Sequence, residues 1–127
     1  MNKKPSEHIS EFLNFVTMAQ NQHRIYEEEV NNQDKLTQDY LHSLELDDLK
    51  RDERSKIATK LAINRKDRRY YKDRVEEFEP IVRFFEDPQH RKILNLMTKV
   101  LGDVRKAESY HKDRKYIPRV LKEKKDG

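Results

Sequence analysis

The chain has 127 residues, 41% of them charged and 34% hydrophobic, and a net charge of +4. Two glycines are too few for a fold rich in tight turns and hairpins, and the absence of cysteine excludes a disulfide framework, a thiol nucleophile and a zinc finger. No apolar run approaches the ~18 residues of a membrane span, and Met1-Asn2-Lys3-Lys4 leads into no hydrophobic region, so a soluble cytoplasmic protein is expected.

So low an apolar fraction fits either disorder or long helices with a narrow apolar stripe. Regular spacing and eleven aromatic residues favour helices over residues 6–110. The first helix is expected over residues 6–46, with Pro5 and Ser6 at its start and Ser6 as N-cap. Its seam steps alternately by three and four residues through Ile9, Phe12, Val16, Ala19, His23, Tyr26, Val30, Gln33, Thr37, Tyr40 and Leu44. Leu13, Phe15, Ile25, Leu36 and Leu41 broaden that stripe on its flanks.

Residues 47–52 break the pattern and offer Asp52 as a cap for a second helix over 53–86. Its seam is Ile57, Leu61, Asn64, Arg68, Tyr71, Val75 and Phe78, continued at Val82 and Phe85 beyond Pro80, where a kink is expected. Folded back antiparallel, the two seams meet in one register whose paired numbers sum to 101, from Leu44 with Ile57 to His23 with Phe78. The polar exceptions then coincide, Gln33 and Thr37 falling opposite Asn64 and Arg68, as in a coiled coil whose polar layer fixes register.

Asp87-Pro88 signals a third helix, over 88–110: an aspartate cap followed by proline at the first helical position. Its expected seam is Ile93, Met97, Val100, Val104, Ala107 and His111, folded back on the second helix with Ile93 opposite Val82 and Val104 opposite Tyr71. Gly102 is expected to permit a close helix contact. The fold class is therefore all-α. A long antiparallel, coiled-coil-like hairpin carries a third helix packed back into a three-helix bundle at one end. Residues 1–111 form a single helical domain, and 112–127 a basic tail.

Charge is unevenly spread. Residues 1–50 carry five Lys/Arg against ten Asp/Glu, whereas residues 110–127 carry seven against three. The densest basic stretch lies at 65–74. Arg65, Arg69 and Lys72 line one helix face there, and an exposed Tyr70 could stack on a base while they track a phosphate backbone. Salt bridging to Glu27, Glu28 and Glu29 of the facing helix is the preferred alternative. The tail is harder to explain by internal pairing. Arg114, Lys115 and Arg119 alternate with Tyr116, Ile117, Val120 and Leu121, too apolar a set for a purely solvated segment. Arg114, Lys115, Tyr116, Arg119 and Leu121 are therefore the candidate partner-binding residues, with Arg65, Arg69, Tyr70 and Lys72 the alternative. No histidine pair has the helical i, i+4 spacing of a metal site, and His23 and His111 read as packed seam residues. No glycine-rich phosphate loop or hydrolytic triad is recognisable, so neither catalysis nor a cofactor is expected.

The stretches KIATKLAINRKDRRYYKDRVEEFEPIVRFFED (56–87) and VLGDVRKAESYHKDRKYIPRV (100–120) resemble small uncharacterised helical proteins encoded by phages and prophages of Gram-positive bacteria. The resemblance covers about half of the chain. It implies a class: non-enzymatic modulators, in the cytoplasm of the bacterial host, that bind and inhibit a larger host or phage protein such as a defence nuclease or a replication or transcription factor. A sequence-nonspecific nucleic-acid-binding accessory protein is the alternative, and a homodimer is compatible with either.

Overall fold

The computed structural model describes residues 2–120. Three helices hold most of them, α1 (Pro5–Leu46), α2 (Arg51–Glu86) and α3 (Pro88–Asp113), with no strand among the described residues. At 1.5 Å per residue, the 42 residues of α1 span about 63 Å.

The helix starts are set locally, with two departures from expectation. Pro5 takes the first turn of α1, so Ser6 sits inside the helix and the cap position falls to Lys4, which makes no side-chain cap bond. The backbone N–H of Ser6, one of the donors a helix start leaves unsatisfied, donates instead to Glu108 Oε2 of α3 at 3.2 Å. α2 begins at Arg51, so Asp52 is not its cap; with Glu53 it occupies the first turn, where carboxylates complement the helix dipole. α3 starts as its sequence indicates: Asp87 Oδ1 accepts from Gln89 N–H at 2.9 Å, and Pro88 opens the helix.

α1 and α2 form the antiparallel hairpin. Val16 and Ala19 are sealed at 2% and 0% exposure, and every α2 seam position from Ile57 to Phe85 is buried or half-buried. The polar layer lies in the middle of this seam. Asn64, 2% exposed, donates from Nδ2 to the Gln33 carbonyl at 2.9 Å and to Gln33 Oε1 at 2.7 Å. The Thr37 hydroxyl lies 2.6 Å from Asn64 Oδ1. Arg68 reaches past Gln33, its expected opposite, to Asp34 Oδ1 at 2.5 Å. Further along, Tyr26 packs against Tyr71 and Phe78, at ring-centroid distances of 6.0 and 6.2 Å.

α3 packs on both other helices and makes the three-helix bundle at the end of the hairpin that contains the start of α1. Its course differs from the expected pairing. In the hairpin register Tyr71 lies opposite Val30, which is ~36 Å along α1 from Ser6. Glu108 touches Ser6, so Val104 cannot lie beside Tyr71. α3 runs from the end of α2 towards the first turn of α1. The connection explains it: Asp87, in extended conformation, is the one residue between α2 and α3, whereas a hairpin of two helices needs a loop of about 2–5 residues.

The face that α3 turns inward differs too. Leu101 is buried at 7% exposure and Leu94, Met97, Val104 and Glu108 are half-buried, while Ile93, Val100 and Ala107 face outward. Both stripes step by three and four residues and share Met97 and Val104, so spacing alone does not separate them. The inward one places Glu108 where it caps α1. A Cβ on Gly102 would meet nothing within 4 Å, so Gly102 makes no close helix contact.

Candidate interaction surfaces

The tail leaves the bundle at the end remote from the two-helix stalk. Arg114 terminates α3 in extended conformation. Arg114, Lys115, Tyr116 and Ile117 then line a groove of about 540 Å³ with Tyr110. Tyr116 and Ile117 are each 81% exposed and Val120 is 83% exposed, with Arg119 exposed between them. This part of the tail packs neither on the stalk nor on the hairpin seam. Leu121 lies outside the described residues.

The basic face of α2 is only partly assembled. Arg65, Arg69 and Lys72 fall within about 60° of one another on the helix, but Tyr70 stands about 160° from Lys72. Tyr70 turns to the other flank, where its ring packs edge-on against Tyr26 at 6.5 Å and carries the Arg74 guanidinium 5.0 Å from its centroid. It therefore does not share the cationic face on which base stacking would need it. The expected salt bridges to the acidic run are absent among the described residues. Arg69 pairs along its own helix with Asp73 at 3.9 Å, and Arg65 and Lys72 form no ion pair there, although Lys72 and Glu27 line the same groove.

Comparison with family models, curated proteins and solved structures finds no match to the chain.

Two features escaped the sequence reading. His23, 9% exposed, bonds through Nε2 to Glu79, with Glu27 Oε1 at 3.6 Å. Arg83 Nε donates to the other Glu79 oxygen at 2.6 Å. The His23 bond, then that of Arg83, holds the Glu79 carboxyl below the ordinary carboxylate range. Donor atoms of His23, Glu27 and Glu79 lie within 4.8 Å of one another, a spacing that a small cation could share. Arg83 already supplies positive charge there, so the cluster reads as an ion-pair network tying α1 to α2. The hairpin register carried the signal, since it sets His23 opposite Phe78 and thus beside Glu79.

The second feature is apolar. Phe12, Phe15 and Val16 of α1 face Pro80, Ile81 and Phe84 of α2 across a groove of about 540 Å³, with Ile93 of α3 at its edge. Further along the same flank Leu36 and Ile63 line a smaller groove over the polar layer. Among the described residues no helix is long and apolar enough to cross a membrane.

Proposed function

We propose that this chain is a non-enzymatic interaction protein of the phage type. Its hairpin and bundle hold out a cationic, apolar arm that engages an acidic surface of a larger host or phage protein and modulates it. Inhibition of a defence nuclease or of a replication or transcription factor is the expected direction, by the resemblance of residues 56–87 and 100–120 to phage-encoded helical proteins. The observation that carries this reading is the tail. Tyr116, Ile117 and Val120 stand almost fully exposed beside Arg114, Lys115 and Arg119, and lie far from the stalk that would otherwise bury them. A solvating segment needs only charge. Aromatic and aliphatic side chains interleaved with cations are the composition of a binding anchor, with the charges orienting the encounter.

Deleting residues 112–127 tests it. The melting temperature should stay nearly unchanged, because no buried residue lies in that segment among the described residues. Binding to a partner recovered from the host should weaken at least tenfold. A marked fall in melting temperature would make the tail structural, and unchanged binding would remove it as the anchor. The second reading, a nucleic-acid accessory protein, rests on Arg65 and Lys72, which form no ion pair with the facing acidic run. It requires affinity for arbitrary DNA that falls steeply with salt.

A further inference from the structure

The apolar flank goes beyond the tail reading. On α1 it is carried by a second heptad row beside the seam, Phe15, Gln22, Glu29 and Leu36. On α2 a matching row runs through Ile63, Tyr70, Glu77 and Phe84. Both rows lie on one side of the hairpin, because Phe15 faces Phe84 across one groove and Leu36 faces Ile63 across the other. Each row is apolar at both ends and polar at its centre, apart from the amphipathic Tyr70. The midpoint of each falls near the same level of the hairpin, close to Ile25 and Arg74. We propose that a second copy of this chain docks antiparallel on this flank, α1 on α1 and α2 on α2, to form a four-helix dimer with its twofold axis at that midpoint.

The pattern is self-complementary under that operation, as an isologous interface requires. Phe15 of one copy meets Leu36 of the other, and Ile63 meets Phe84, so the Phe15–Phe84 groove receives aliphatic side chains and the Leu36–Ile63 groove receives aromatic ones. At the centre Gln22 faces Glu29, and Tyr70 faces Glu77, in both pairs a side-chain donor with a carboxylate. Keeping α1 on α1 across this flank requires the two copies to run antiparallel, because a rotation that turns the flank onto its copy without exchanging the two helices reverses their direction. The paired rows set no two like charges opposite each other in this arrangement.

The areas agree. A compact chain of 15.5 kDa exposes about 7,200 Å², and this one exposes 10698 Å². Phe15 to Leu36 spans ~32 Å, and two helices are ~20 Å across, so the flank covers roughly 640 Å² in projection. Side-chain relief and the groove walls carry its accessible area towards the ~800 Å² per partner of a stable interface. The described part of the tail, to Val120, is not among the residues that line the grooves of this face.

Sedimentation of the full chain across the micromolar range is the test. The protein should sediment as a dimer. Phe84→Glu and Ile63→Glu should each raise the dimer dissociation constant by about 30-fold or more, the loss expected for an anchor side chain, with helical circular dichroism unchanged. If Phe84→Glu unfolds the bundle end, Ile63→Glu on the exposed stalk decides. A Gln22→Cys/Glu29→Cys double variant adds the geometry. Its two thiols sit ~10 Å apart on one helix, beyond disulfide reach, so oxidation should link only separate copies. Gln20→Cys/Glu27→Cys, spaced alike on the opposite flank, should stay unlinked. A monomer throughout the micromolar range, a dimer that survives both glutamates, or linkage through positions 20 and 27 would overturn the proposal.

Discussion

Asn64 shows what one side chain contributes to a seam this thin. It fills three hydrogen-bonding positions against Gln33 and Thr37 while almost completely buried. Asn64→Ala removes three hydrogen bonds from the middle of the seam, leaving only the bond from Thr37 to the Gln33 carbonyl, so a loss of about 1–3 kcal/mol is expected in urea unfolding. Replacing the layer by Asn64→Leu with Thr37→Val should recover stability, because a packed apolar pair needs no partner. It should also loosen register, read as new off-register crosslinks between introduced cysteines. Glu79 adds a pH dependence. Folding lowers its pKa through His23 and Arg83, so the unfolded chain takes up the proton more readily. The contribution is complete above the ordinary carboxylate range and lost as the pH falls through the lowered folded value. The melting temperatures of the protein and its Glu79→Gln variant should therefore differ most near neutrality and converge on acidification.

Among the elements, the hairpin was legible in the sequence and the third helix less so, for a physical reason. Two long seams of eleven and nine positions admit few registers, and the polar residues Gln33, Thr37 and Asn64 rule out the neighbouring ones. α3 is shorter and carries two adjacent apolar stripes, through Ile93 and Val100 or through Leu94 and Leu101, both with helical period. What decides between them is the single-residue connection at Asp87 and the unsatisfied amide of Ser6, which calls Glu108 to the start of α1. Neither has a periodic signature. For the basic face, the sequence grouped Tyr70 with Arg69 and Lys72 because they are neighbours in the chain, whereas a helix separates them onto different flanks. The outward Gly102 gives a direct check. With no neighbour to clash and no left-handed backbone to preserve, Gly102→Ala should stabilise the protein by about 0.5–1 kcal/mol, the helix-propensity difference. A loss of stability would mean that a close contact forms there.

For the whole molecule, the distribution of buried groups sets a gradient of stability along the long axis. The buried apolar residues Val16, Ala19, Phe85 and Leu101 all belong to the three-helix end. The His23–Glu79–Arg83 network borders them, and the polar layer follows one third of the way further along. Beyond the layer the stalk holds together through half-buried Tyr40, Leu44, Ile57 and Leu61, two helices wide, before the loop at residues 47–50. Local opening follows the density of such contacts. Amide exchange should therefore be slowest in α1 around residues 13–30 and in α2 around 71–85, step up past Asn64, and be fastest at residues 44–57. Limited proteolysis should cut first at the loop. Asn64→Ala should steepen the gradient, speeding exchange in the stalk far more than around Val16, because among the described residues the layer holds the last hydrogen bonds between α1 and α2 before the tip. Uniform exchange along the hairpin would show that it opens as one cooperative unit and that the layer fixes register without dividing the molecule.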